Sequence, residues 1–253
     1  MNLPVNEHWG VLPVLFRVGG VAVPSYGVFM SLAVLTAALL YFWEARREGQ
    51  PSTHGIILLL AALFGGGLGA KLAVWLFEGR EILGALPDIR PLFSGRTIVG
   101  GLIGGVLTVE LAKRVLGITT RTGHLFAPGL ALAICIGRIG CFLGGCCYGV
   151  PTPFTGVDFG DGIPRIPTQL IESAFALCLF VYLQTVKGRL KEPGRLFIHF
   201  MLAYFTFRFG IEFLRQEPRP YLGLTLAQVV SLAIIGYYVF HKRIHRTEGV
   251  QNV

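Results

Sequence analysis

The chain has 253 residues, is 53% hydrophobic and only 14% charged, and has a mean hydropathy of +0.63. That balance excludes an ordinary soluble domain, in which about a quarter of the residues are charged. The net charge of +8 sits on loop arginines and lysines with no basic stripe of interleaved aromatics, so no nucleic-acid partner is expected.

In chain order, apolar windows close to the ~20 residues that cross a hydrocarbon core fall at 23–42, 55–77, 98–116, 125–142, 168–186, 196–214 and 222–240. Helices are the fitting element, because a helix satisfies its own backbone hydrogen bonds and no alternating barrel pattern occurs. The expectation is an all-α, polytopic membrane protein, with seven transmembrane helices in one bundle and a single domain over 1–253. The first twenty residues contain Arg17 but no short apolar core before a small-residue cleavage site, so the first helix is expected to act as its own insertion signal.

Arginine and lysine resist translocation, and here they divide between alternate loops. One set holds twelve: Arg46, Arg47, Lys113, Arg114, Arg121, Lys187, Arg189, Lys191, Arg195, Lys242, Arg243 and Arg246. The other holds six: Arg17, Arg80, Arg90, Arg96, Arg165 and Arg219. The twelve belong in the cytoplasm beside anionic headgroups, which places the N-terminus out and the C-terminus in. The two long connections, 78–97 and 144–167, then both face outward, and Pro151, Pro153, Pro164 and Pro167 make the second irregular.

Four basic residues remain inside the apolar windows or at their ends: Lys71, Arg138, Arg208 and Arg215. A charge at membrane depth costs a few kcal/mol and usually marks a polar path. With this orientation Arg138 and the segment RFGIEFLR (208–215) lie in outer halves of their helices. Tyr26, the pair Gly100 and Gly101, and the polar start Thr168, Gln169 and Glu172 lie at the same level. Arg208, Glu212 and Arg215 are four and three residues apart, on one helical face. Guanidiniums bind phosphate through paired hydrogen bonds, and an outer-leaflet phosphate belongs most simply to a phospholipid. The competing reading is structural: Arg208, Glu212 and Arg215 neutralise one another while Arg138 snorkels to the interface. Lys71 is open in the same way, either a snorkelling seam residue or part of a site.

The segment GRIGCFLGGCCYG (137–149) places Cys141, Cys146 and Cys147 on the outer side. They are open to three readings: small unpaired residues, a disulfide in an oxidising compartment, or a metal site. No histidine falls in that loop to complete zinc ligation, so no metal and no cofactor are expected. Glycines in the second and third windows, at 65–67, 69, 100–101 and 104–105, read as seams that let backbones approach.

GRIGCFLGGCCYG resembles the glycine-arginine signature of the bacterial prolipoprotein diacylglyceryl transferases, and YGVFMSLAV, VGGLIGG, RIPTQLIES, RFGIEFLR and LTLAQVVSL are similar to that family in order and spacing. The resemblance implies an inner-membrane enzyme that moves a diacylglyceryl group from phosphatidylglycerol to the lipobox cysteine of a prolipoprotein, with release of glycerol phosphate. It implies catalytic roles for Arg138, Arg208, Glu212 and Tyr26, and substrate contacts for Gly100, Gly101, Gly137, Gly140, Gln169, Arg215, Cys141 and Cys146. The chain departs from the pattern at Val99, where many members have histidine, and at Cys141 and Cys146, which stand at an asparagine and a glutamate position. Arg165, Ile166 and Pro167 stand where the family has arginine, histidine and proline. The alternatives are a paralogue serving another acceptor, and an inactive protein that binds or translocates phospholipid.

Overall fold

Each apolar window contains a helix. The computed structural model describes residues 8–49, 52–84, 97–119, 121–190, 192 and 194–248. Among these residues the α-helices are α1 Ser25–Arg47, α2 Ser52–Gly84, α3 Ile98–Leu116, α4 Gly123–Leu143, α5 Thr168–Lys187, α6 Arg195–Ile211 and α7 Leu226–Glu248, with a 3-10 turn Glu212–Leu214 closing α6. Five segments are long and apolar enough to cross a membrane: Ser25–Arg47, Thr53–Leu76, Gly123–Leu143, Thr168–Lys187 and Arg195–Leu214. In α3 the second half carries Glu110, Lys113 and Arg114, and the apolar part of α7, Leu226–Phe240, is shorter than the ~20 residues of a full span. The protein is mostly helical and multi-pass. Its exterior is rich in leucine, with Leu39, Phe64, Leu76, Leu107, Leu111 and Val115 all exposed, as a lipid-facing surface requires.

The outer connection expected over 78–97 begins later in the chain, because α2 continues to Gly84; residues 85–96 lie outside the described residues. The chain divides into two compact units, one from Met1–Tyr41 and Arg121–Val253, the other Phe42–Thr120.

In the first unit a hairpin precedes α1, with β1 Val14–Val18 paired antiparallel to β2 Val21–Pro24. Its two-residue turn is Gly19-Gly20, both at positive φ, the conformation that a tight hairpin demands. Ser25 then opens α1, its hydroxyl donating to the Leu12 carbonyl. The most buried helix is α4, which packs against both α5 and α6, while α6 packs against α7. Three α4 glycines admit α1: a Cβ would meet Phe29 Cβ at 2.7 Å from Gly140, Met30 Sδ at 3.2 Å from Gly137, and Tyr26 Cβ at 3.3 Å from Gly144. Two short strands, β3 Val157–Asp158 and β4 Pro164–Arg165, order the connection between α4 and α5. Its start is tied to the end of α6, where Val150 N donates to Leu214 O at 2.9 Å. A reciprocal cap opens α7: Gln228 N–H donates to Thr225 Oγ1 at 3.2 Å and Thr225 N–H donates to Gln228 Oε1 at 2.9 Å.

In the second unit α2 and α3 run antiparallel along the glycine seam. A Cβ at Gly104 would lie 2.2 Å from Gly65 O, and one at Gly69 would lie 2.5 Å from Gly100 O. Thr108 Oγ1 donates across the seam to Ala61 O at 2.7 Å. Lys71 sits over the Trp75 ring one turn further along α2, 5.8 Å from its centroid. Where lipid is as apolar as leucine, close backbone approach supplies the association through dispersion contacts. Gly104→Ala is therefore expected to destabilise the protein by about 1–3 kcal/mol through overpacking. Gly67→Ala meets nothing within 4 Å and should stay within about 0.5 kcal/mol of the parent, as unfolding in detergent will measure.

Candidate functional site

Of the four basic residues expected at membrane depth, Arg138, Arg208 and Arg215 come together where α4, α5 and α6 meet, while Lys71 belongs to the other unit. Arg138, in the last two turns of α4, is 4% exposed and does not snorkel. Its Nη2 lies 2.9 Å from Glu172 Oε2. The same oxygen lies 3.4 Å from Arg208 Nη1, and the other, Oε1, accepts from the Tyr204 hydroxyl at 3.0 Å. Arg208 Nη2 pairs in turn with Glu212 Oε2 at 2.8 Å, and Arg215 Nε stands 3.7 Å from that oxygen. Thr225 Oγ1 donates to Glu212 Oε1 at 3.1 Å, which links the start of α7 to the network.

Glu212 begins the 3-10 turn, and the backbone is extended at Arg215. That bend carries the Arg215 guanidinium out of the helix to Glu217, 2.9 Å away and half-exposed. The five buried members, Arg138, Arg208, Arg215, Glu172 and Glu212, carry three positive and two negative charges. The Nε–H groups of Arg138 and Arg208 find no hydrogen-bond acceptor among the described residues. The ions neutralise one another as the structural reading has it: Glu172 serves Arg138 and Arg208, Glu212 serves Arg208 and Arg215, and half-exposed Glu217 also pairs with Arg215. What that network leaves over is the two buried Nε–H donors, which an anion's oxygens could accept from.

The cysteines lie beside this cluster. Cys141 is one turn after Arg138 on the same face of α4, and the Sγ atoms of Cys141, Cys146 and Cys147 lie within 4.8 Å of one another. All three are free thiols. Cys147 adopts positive φ, so the chain doubles back there. Residues at the start of α5 hold this turn by its carbonyls: Thr168 Oγ1 donates to Cys147 O at 2.9 Å and Gln169 Nε2 donates to Cys146 O at 2.7 Å. Gln169 Oε1 is buried with no hydrogen-bond partner among the described residues. Hydrogen bonds from Cys141 and Cys146 pull the Cys147 thiol well below the ordinary cysteine value, and the Arg138 and Arg215 guanidiniums add to that against its burial. The same hydrogen bonds push Cys146 up.

Tyr26 packs at the end of α4 over Gly140 and Gly144. Gly137 and Gly140 face α1, where they admit Phe29 and Met30. Gly100 and Gly101 belong to the second unit, in the seam of α3 against α2. Arg165 forms two hydrogen bonds to Asp161, at 2.7 and 2.6 Å, and lies over Tyr148, 4.8 Å from the ring centroid. Tyr204 and Thr225 carry no sequence signal for the site. Glu172 does stand out, with Thr168 and Gln169, in the polar start at the level of the arginines, but its position along the chain does not reveal its double partnership.

The fold and site define a multi-pass helical membrane protein with a buried arginine-carboxylate cluster. The chain belongs to the prolipoprotein diacylglyceryl transferase family, whose profile matches residues 13–241. It is 33% identical over 240 residues to the phosphatidylglycerol–prolipoprotein diacylglyceryl transferase of Clostridium tetani, covering 90% of this chain and 96% of that one. A Clostridium perfringens transferase of the same designation, numbered 2, is 31% identical over 246 residues, 93% of this chain and 96% of its own. The Bordetella parapertussis enzyme is also 31% identical, over 255 residues, 91% of this chain and 95% of its own.

Removing the carboxylate that two arginines share should cost more than removing one at the rim. Glu172→Gln is expected to destabilise by about 3 kcal/mol, whereas Glu217→Gln, half-exposed, should cost at most about 1 kcal/mol, both read from denaturation in detergent. Acid should loosen the α4–α5 connection. The Arg165 hydrogen bonds hold the Asp161 carboxyl down at about 2, so its stabilising contribution is complete above about pH 4 and is lost as pH falls towards 2. Melting temperature against pH should show that decline, and Asp161→Asn should flatten it.

Proposed function

We propose that the protein is a membrane transferase that moves a diacylglyceryl group from phosphatidylglycerol to the lipobox cysteine of a prolipoprotein, forming a thioether and releasing glycerol phosphate. One observation carries this: three buried guanidiniums gather on two buried carboxylates, the third met otherwise only by half-exposed Glu217, and the Nε–H donors of Arg138 and Arg208 find no acceptor among the described residues. A phosphodiester supplies acceptors for those donors. The names of the Clostridium and Bordetella relatives point to the same donor and acceptor.

In this reaction the acceptor thiolate attacks the glycerol carbon of the diacylglyceryl group. The bond from that carbon to the phosphate oxygen breaks, and its electron pair stays on the phosphate. Negative charge thus grows on the leaving group, where Arg138 and Arg208 act as fixed donors in low dielectric. Arg215 adds positive potential, while Glu172 and Glu212 hold the guanidiniums in register. Glu212 also serves proton traffic. Gly137 and Gly140 let α1 close on α4 and so set Tyr26 at that end. Gln169, Cys141 and Cys146 line the acceptor side, and Gly100 and Gly101 serve the lipid indirectly, through the seam that holds α3 against α2.

The chain works as one seven-span domain of the bacterial inner membrane, with its N-terminus out and the site facing outward. The division of twelve and six basic residues between alternate loops supports that orientation. Leu107, Leu111 and Val115, exposed at four-residue spacing along α3, support a lipid contact for that helix too.

The test is purified protein with phosphatidylglycerol and a lipobox peptide, following glycerol phosphate release and peptide mass together. One diacylglyceryl group should be gained per phosphate released. Arg138→Ala should lower turnover at least about 100-fold, with folding kept because Glu172 retains Arg208 and Tyr204. Arg138→Lys keeps the charge without the planar fork and should fall between. Lipid that binds yet is never consumed would replace this reading with a phospholipid-binding protein.

A further inference from the structure

The geometry points to a zinc-class divalent cation held by Cys141, Cys146 and Cys147, with its fourth position left for the incoming acceptor thiol. This rests on the transferase reading and names how its nucleophile is made. The three Sγ atoms lie within 4.8 Å of one another. Tetrahedral zinc with Zn–S of about 2.3 Å needs sulfur separations of about 3.8 Å, so each pair must close by about 1 Å at most. Among the described residues, no fourth histidine, cysteine or carboxylate joins the group. Three protein ligands and one open position are the pattern of a reactive rather than a closed structural zinc site.

The loop holds no histidine, which is why its sequence predicts no metal. The fold assembles three sulfurs instead. Cys141 comes from the last turn of α4, and Cys146 N–H donates back to the Cys141 carbonyl at 3.0 Å, folding the turn over the helix end. Positive φ at Gly145 and Cys147 lets two adjacent cysteines reach the same point. Side chains at the start of α5 lock the turn, through Thr168 to Cys147 O and Gln169 to Cys146 O.

The placement matters for the chemistry. Gln169 and Glu172 are three apart on α5, so one helical turn holds the cysteines with the first and the arginines with the second. Arg138 and Cys141 are three apart on α4 and repeat that adjacency. The thiol site thus borders the phosphate site along two helices. The charges are complementary as well: three thiolates and one divalent cation sum to one negative charge, beside the guanidiniums of Arg138 and Arg215.

A thiol is a poor nucleophile and a thiolate a good one, and a coordinating thiol is deprotonated outright. The acceptor cysteine would bind in the fourth position and lose its proton to solvent. Its sulfur would then form the new bond to the glycerol carbon as the carbon–oxygen bond breaks and the phosphate departs to Arg138 and Arg208. No electron leaves the metal and no further reactant is needed.

The test strips the purified full-length protein with chelator under reducing conditions and titrates it with Co(II) as a visible stand-in for zinc. One equivalent should bind with thiolate-to-cobalt charge-transfer bands and intense tetrahedral visible bands. Cys141→Ser, Cys146→Ser and Cys147→Ser should each weaken binding at least about tenfold, and Cys178→Ser, on an exposed face of α5, should not. Adding lipobox peptide should shift the visible bands, while the same peptide with serine for cysteine should not. Absence of the charge-transfer bands in the wild-type protein, or bands that the cysteine peptide leaves unmoved, overturns the proposal whether or not the variants fold. Transfer that persists at full rate without metal also overturns it and leaves the transferase reading intact. Band shifts with peptide but no transfer with zinc restored uphold the thiol site and overturn the transferase reading instead.

Discussion

A carboxylate among apolar helices is unstable by itself, because burying an unpaired ion costs several kcal/mol. Glu172 is tolerated at 1% exposure because Arg138, Arg208 and Tyr204 all converge on its two oxygens. The dependence runs the other way as well. Without Glu172, two guanidiniums on α4 and α6 would face each other in low dielectric. That one side chain, projected from α5, therefore sets the spacing of three helices around the pocket. Glu212 repeats the arrangement on a smaller scale, joining Arg208, Arg215 and Thr225.

The surroundings follow from that constraint. A pocket built from long arginines needs helices that stay put, and in lipid the hydrophobic effect does not hold helices together. Small residues supply the contact instead. Gly137, Gly140 and Gly144 bring α1 against α4, and in the other unit Gly65, Gly69, Gly100 and Gly104 bring α2 against α3. Packing replaces burial as the organising force, which is why leucines point out and arginines point in. The cap over the α4–α5 connection uses ordinary aqueous chemistry, with Arg165 held by Asp161 and covered by Tyr148.

Unfilled donors distinguish this cluster from a plain scaffold. A fully satisfied network would hold helices and offer nothing to a ligand. Here the Nε–H groups of Arg138 and Arg208 find no acceptor among the described residues, so an anion that entered would meet donors already oriented. The thiol cluster next to it adds a second kind of chemistry within one helical turn. Donor phosphate and acceptor sulfur would meet there without either group crossing the pocket.

How much of this was legible in the chain depends on the range of each signal. Local periodicity is short-range, and it located each helix: 98–116 matches α3, and 168–186 matches α5 to its last residue but one, whereas α2 and α7 run on past their windows to Gly84 and Glu248, since hydropathy marks the apolar part of a helix and not its polar end. Charges at four- and three-residue spacing on one helix were readable for the same reason, and Glu212 does pair with Arg208 and Arg215. The sequence by itself thus determined a multi-pass helical protein and its glycine seams, since hydropathy and helical geometry act over neighbours. Only the tertiary structure decided that Arg138 is buried rather than snorkelling, that Glu172 binds two arginines from other helices, and that three cysteines from a helix end and a turn share one point. Those facts depend on which faces of separate helices meet, and no spacing along the chain encodes that.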